Sequence, residues 1–168
     1  MNGNEQELRL VYADTMHIPC VLSLYEEAKK DEFCVWNEHY PTIEHVTADV
    51  AARGLYLLVC GDDVIGCVSV ESVPEDDDLP WHICDGTHRE VARLTVAPHH
   101  RGQGYASKMM LLLMEEFKRI GVRSVHLLAA KCNPPAYRTY RSLGFDFLGE
   151  CYRYGTDYYI CEKLLREE

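Results

Sequence analysis

The chain has 168 residues, 47% of them hydrophobic and 26% charged, with a formal net charge of −10. That length fits a single domain, residues 1–168, with a substantial core. The acidic balance excludes the basic face that a nucleic-acid partner needs, and purely apolar runs such as Met109 to Met114 are too short to span a membrane. The same charge suits solubility, and it suits a cationic partner such as a small-molecule amine.

The opening "MNGNEQE" lacks the basic start and apolar middle of a secretory signal. Leu8 to Ala13 alternates and is expected to form a strand. Asp14 or Thr15 can cap a helix running to about Lys30, with Val21, Leu24 and Tyr25 on one face. A second helix is expected from Thr42 to a stop at Gly54. "LYLLVCGDDVIGCVSVES" reads as a hairpin turning at Gly61-Asp62-Asp63. The acidic run "PEDDD", Pro74 to Asp78, reads as a solvated loop. Glu90 to Val96 is the next strand.

From Gly104 the period becomes helical. Ala106, Met110, Leu113, Phe117 and Ile120 recur every three or four residues, and Gly121 ends the helix. "VRSVHLLAA" is a strand, Pro134-Pro135 suit the first turn of a helix to Leu143, and the last two runs form a closing hairpin. The order βααβββαβαββ implies an α/β fold whose mixed sheet holds at least one parallel pair.

Eight cysteines are scattered with no CxxC pair, several in strand-like runs such as "LLVCG". They read as reduced thiols in a cytoplasmic protein, packed as small core residues. None of the eight histidines falls in a paired zinc spacing, so no metal is expected, and loop or surface positions are expected for them.

One stretch carries chemistry. In "RLTVAPHHRGQGYASKMM" two glycines and an arginine stand between a strand and a helix. Gly102 and Gly104 can take positive φ, and the first amides of a helix lack intrahelical partners and carry the positive end of its dipole. That is an anion site suited to phosphate, with Arg101 adding a forked cation. No GxxxxGK[ST] string exists, and "GQGYAS" departs from the dinucleotide fingerprint at Ser107, with Lys131 where an acid is wanted. Arg101, Gly104 and Ala106 meet the pattern R/Q-x-x-G-x-G/A.

"LTVAP" precedes that loop, and "NPPAYRTYRSLGF", Asn133 to Phe145, follows the next strand. Together these residues resemble the GNAT superfamily of N-acetyltransferases, with Asn133, Ala136, Tyr140, Gly144 and Phe145 in place. "VWNEHYPTIEHVTADVAARG" is also similar to a bacterial subgroup with W-x-x-x-Y-P before the second helix. The resemblance implies acetyl-CoA as donor, its pyrophosphate on the amides of Arg101, Gly102, Gln103, Gly104, Tyr105 and Ala106. It implies central strands that splay around the pantetheine, with Val96 holding that arm by backbone bonds.

Within that frame Glu90 is the favoured base, with His88 and Glu71 as other candidates. The alternative for Glu90 is a solvent-facing strand carboxylate. Residues four apart share a strand face, so Glu90 and Leu94 point the same way unless a bulge intervenes. A backbone N–H near Leu94 or Thr95 is the expected oxyanion donor. Tyr140 is the expected acid. It lies two helical turns from Asn133 with the small Ala136 between them, and Asn133 is expected to bind pantetheine or phosphate. Tyr137, off that register, reads as packing. Trp36 and Tyr40 either wall an acceptor pocket or staple the helices. The expected activity is direct acetyl transfer to a primary amine of a small molecule or an amino terminus; the alternative is a non-catalytic acyl-CoA sensor. A homodimer through the last strands stays open.

Overall fold

The computed structural model describes residues 6–72 and 76–166. β1 (Leu8–Tyr12) is followed by Asp14, whose carboxylate accepts the Met16 N–H at 2.8 Å and starts a 3-10 turn, Thr15–His17. α1 (Ile18–Ala28) begins only then. Pro19, in its first turn, has no N–H, and its ring blocks a regular helix from reaching further back. The single helix expected from Asp14 is therefore two pieces.

α2 (Ile43–Ala51) starts after Thr42, whose N–H is accepted by the His45 ring at 3.0 Å. It stops three residues before Gly54, and Arg53 takes the left-handed conformation (φ 52) instead. Gly54 is needed for another reason: a Cβ there would lie 2.4 Å from the Val70 carbonyl oxygen.

β2 (Leu55–Cys60) and β3 (Asp63–Glu71) form the expected hairpin. β4 (His88–Val96) starts two residues earlier than Glu90, so His88 is a strand residue. α3 (Tyr105–Arg119), β5 (Ser124–Ala130), α4 (Pro134–Ser142), β6 (Asp146–Arg153) and β7 (Thr156–Leu164) complete the order read from the sequence. The seven strands form one sheet in the order β1-β2-β3-β4-β5-β7-β6, antiparallel throughout except for β4 and β5.

The two sheet faces bury different cores. Leu58, Val68, Val91, Val125 and Leu127 pack against Met109, Met110, Leu113 and Phe117 of α3. Leu55, Leu57, Val59 and Cys67 pack against Val21, Leu24 and Tyr25 of α1 and Val46 of α2. The β5–β7 half of that second face has a different cover. There the connection between β3 and β4 folds back over the sheet, stacking Trp81 on His126 at 3.9 Å and donating the His82 and Ile83 amides to Glu162.

That connection corrects the expected solvated loop. Asp76 is 3% exposed and binds Arg153 and the Tyr154 hydroxyl of the β6–β7 hairpin. Pro74 and Glu75 of the same run lie outside the described residues. All eight cysteines are free. Among the described residues, no helix is long and apolar enough to cross a membrane.

Candidate active site

β4 and β5 pair at only three positions, His88–Ser124, Arg89–Val125 and Glu90–His126. Beyond them β4 stays with β3 as far as Val96, and β5 stays with β7 as far as Ala130. The central strands therefore open into a crevice. A bulge helps to turn β4 away: the β3–β4 register shifts between Ala92 and Thr95, and Arg93 has φ 51. Leu94 sits in that bulge. Because of it, Glu90 and Leu94 are not a simple four-residue pair on one face.

The mouth of the crevice is the turn after β4. A 3-10 turn, Pro98–His100, leads into Gly102 (φ 74) and Gly104 (φ 80), and Gly104 caps α3. Both glycines take left-handed conformations that other residues reach only at a cost, and an added Cβ at either would meet nothing within 4 Å. Arg101, Gly102, Gln103 and Gly104 are exposed, while Tyr105 and Ala106 are half-buried. The Arg101 guanidinium donates to the Val96 carbonyl at 3.2 Å and to Asp31 at 3.3 Å, which braces the turn against β4 and the end of α1. The Arg101 N–H is turned to the Pro98 carbonyl at 3.3 Å, and the exposed turn after it, at a helix start beside an open crevice, fits a phosphate-bearing ligand.

On the face away from α3, a polar row crosses the sheet. Successive registers place Glu71, Glu90, His126, Glu162 and Asp146 side by side on five strands. Glu90 is 7% exposed, its Oε2 has no hydrogen-bond partner, and its carboxyl is pushed up to about 8. Burial is the main cause; the negative charges of Asp76 and Glu71 add to it.

Beside Glu90 lies a buried ion cluster. The Arg93 guanidinium donates to both oxygens of Asp49 (3.0 and 2.9 Å), to Glu71 at 3.2 Å and to the Tyr40 hydroxyl at 2.8 Å. Ser69 donates to Asp49 at 2.7 Å. Trp36 is half-buried, edge-on to Tyr25 and Tyr40, and packs on the α1 and α2 core. Trp36 and Tyr40 thus brace the helices, and Tyr40 and Glu71 are held by the same guanidinium.

Across the sheet, Tyr140 packs against the α3-side core with its ring edge-on to Phe145, and burial pushes its hydroxyl up to about 12. Asn133 caps α4, its side-chain oxygen accepting the Ala136 N–H at 3.2 Å. Its oxygen thus holds the helix start, the place where the expected ligand contact would compete. Tyr137 stacks with Tyr159 and Phe147, as packing.

Two of the histidines depart from expectation. His88 and His126 are 3% and 0% exposed, because strand alternation puts both on the polar face under the folded-back connection. The His126 ring is sandwiched between Trp81 and His88, with interplanar angles of 12° and 16°. Donor atoms of Asp77, His88 and His126 lie within 4.8 Å of one another. Rings stacked this way do not aim both in-plane lone pairs at one ion, so the group reads as a hydrogen-bonded stack. Arg93, Asp49, Asp76, His126 and Glu162 escaped the sequence because only strand register and helix placement bring them together.

A parallel strand pair that opens behind a bulge, with a glycine turn at its mouth, is the architecture of an acyl-group transferase. The sequence profile of the acetyltransferase (GNAT) family matches residues 21–145, and the chain belongs to that family. Solved structures agree on the fold. An acetyltransferase of the GNAT family from Streptococcus agalactiae superposes with a TM-score of 0.83 at 16% identity, covering 99% of this chain and 100% of that one. The protein yncA of Salmonella typhimurium, solved with its cofactor acetyl-CoA, gives 0.75 at 19% identity over 96% of each chain. A ribosomal-protein-alanine N-acetyltransferase from Brucella melitensis gives 0.74 at 20% identity over 94% of this chain and 99% of that one. No curated protein matches the sequence significantly. The chain is thus an acetyltransferase.

Proposed function

We propose that this enzyme moves an acetyl group from acetyl-CoA to a primary amine of a small molecule or an amino terminus, directly, in a ternary complex. The observation that carries the reading is the buried, proton-holding Glu90 at the point where β4 and β5 part.

The donor's pyrophosphate would rest on the amides of Arg101 to Ala106, with the Arg101 guanidinium close by. Its pantetheine would enter the crevice, where Val96 and the residues of the Leu94 bulge have backbone groups released from the β4–β5 ladder. Asn133, Ala136 and Tyr140 would flank it from α4.

The acceptor arrives as an ammonium ion and must lose a proton before it can attack. Glu90 is suited to remove it, because its raised pKa gives it affinity for the proton near neutral pH. Glu71, Tyr40 and Trp36 border the same side. As the amine attacks, the thioester oxygen gains negative charge, and the Leu94 N–H is the donor proposed to meet it, a contact worth about 3 kcal/mol. The tetrahedral adduct then collapses and expels the thiolate of coenzyme A. Tyr140, protonated at neutral pH, would return a proton to that sulfur.

Two measurements test the assignment. Calorimetry should detect acetyl-CoA binding to the purified protein, and a panel of polyamines, amino acids, aminoglycosides and peptides should include an acceptor that releases free thiol. With that acceptor, Tyr140→Phe should slow turnover about tenfold and leave acetyl-CoA affinity unchanged. Failure to bind acetyl-CoA would overturn the proposal.

A further inference from the structure

Among the buried polar atoms that lack partners are Glu90 Oε2 on β4 and His126 Nδ1 on β5, and the two residues are direct register partners. Residues paired this way share a sheet face, on strands about 4.8 Å apart.

The other edge of the His126 ring is fully committed. Nε2 lies 2.8 Å from the Ile83 carbonyl and 3.3 Å from Glu162 Oε1. Both are acceptors, so Nε2 carries the proton and Nδ1 keeps a bare lone pair. The two nitrogens diverge across the ring, so Nδ1 is on the side away from Glu162 of β7, and β4 is the other neighbour of β5. Trp81 and His88, stacked on its two faces, hold that orientation. Burial lowers the His126 pKa, so the imidazole stays neutral and able to accept. His88 differs: its Nδ1 accepts the Gly86 N–H at 3.3 Å and its Nε2 faces Asp77 at 3.1 Å, which leaves no free nitrogen.

Glu162 completes the arrangement. It is fully buried yet held below its usual pKa: desolvation opposes its charge, and the His82 N–H, the Ser124 hydroxyl and the Ile83 N–H outweigh it. A fixed carboxylate behind one imidazole nitrogen orients the ring and stabilises any positive charge it takes up.

We propose that His126, oriented by Glu162, is a positioning residue that accepts a hydrogen bond from the protonated Glu90 carboxyl. This rests on the reading of Glu90 as base. The proton leaves the ammonium nitrogen for the Glu90 carboxylate, and the O–H so formed donates from Oε2 toward His126 Nδ1 over one bridging water. The imidazole stays neutral, and Glu90 gives the proton to solvent as the product leaves. Besides His126, the charged and titratable groups around Glu90 are Glu71 on β3, Arg93 and His88 on β4, and Asp76 and Asp77 from the connection above it.

Imidazole 15N shifts of the whole protein test this without turnover. We expect His126 in the Nε2–H form, with a Nδ1 signal that moves when Glu90→Gln is introduced. A Nδ1–H tautomer overturns the proposal. His126→Gln keeps a donor for the Ile83 carbonyl and removes the Nδ1 lone pair. Its kcat should fall about tenfold with acetyl-CoA affinity unchanged, and the acidic limb of the pH profile should move to lower pH. A limb that stays in place marks a purely structural role and also overturns the proposal. If His126→Gln does not fold, the tautomer measurement decides alone. Should Glu90→Gln keep full activity, the base reading falls while the tautomer still reports on His126.

Discussion

Glu71 and Glu90 stand directly opposite each other on β3 and β4, two carboxylates on one face of an antiparallel pair. Like charges in this position repel, and such pairs are destabilising in sheets. The protein resolves the conflict unequally. Glu71 is bound by the Arg93 guanidinium, whereas Glu90 has no cation and holds its proton instead. One carboxylate is committed to structure and the other is left reactive.

The rate should follow the Glu90 proton. With Glu90 required as carboxylate, kcat/KM should rise with pH and reach half its plateau near pH 8. Glu90→Gln should lower kcat about 100-fold and flatten that limb. Steady-state rates across neutral and mildly alkaline pH check this, and an unchanged profile in the variant would count against Glu90 as base.

Stability should show the opposite trend. The folded chain holds the Glu90 proton more tightly than the unfolded chain, at about 8 against an ordinary 4.5. Below both values the group is neutral in either state and costs nothing. As pH rises from 4.5 to 8 the unfolded state releases its proton first, and folding loses stability. Glu90→Gln should therefore leave Tm unchanged near pH 4 and raise it by roughly 10 °C at pH 8. Thermal melts at the two pH values decide; a pH-independent difference would refute the buried charge.

Arg93 is the keystone of the acceptor side. Its side chain is 6% exposed and Asp49's is 13%, so removing the cation strands a buried carboxylate. Arg93→Ala should cost about 3 kcal/mol in urea unfolding, and adding Asp49→Ala should restore at least ~1 kcal/mol of it. Strict additivity of the two substitutions would mean the ion pair is not what Arg93 contributes.

Gly104 should matter for binding as well as folding. Its φ of 80 makes Ala there about 1 kcal/mol less stable, though no atom lies in the way of a methyl group. Because Gly104 caps α3 among the amides proposed to hold the phosphates, acetyl-CoA affinity in Gly104→Ala should drop by about tenfold or more, read by calorimetry. An unchanged affinity would move the phosphate site elsewhere.

The sequence by itself determined the order of elements, the glycine turn and the α4 register. Each rests on local rules: the helical period of α3, glycine where φ must be positive, prolines at the start of α4. These were enough to recognise the family. Tertiary structure decided what surrounds Glu90. Arg93 and Asp49 meet only because α2 packs on the sheet face that carries the Arg93 side chain, and Asp76 is buried only because the connection after β3 folds back. His126 stands beside Glu90 only through a parallel register set by packing between strands far apart in sequence. Such contacts leave no local period or motif, because their partners are chosen by strand register and burial.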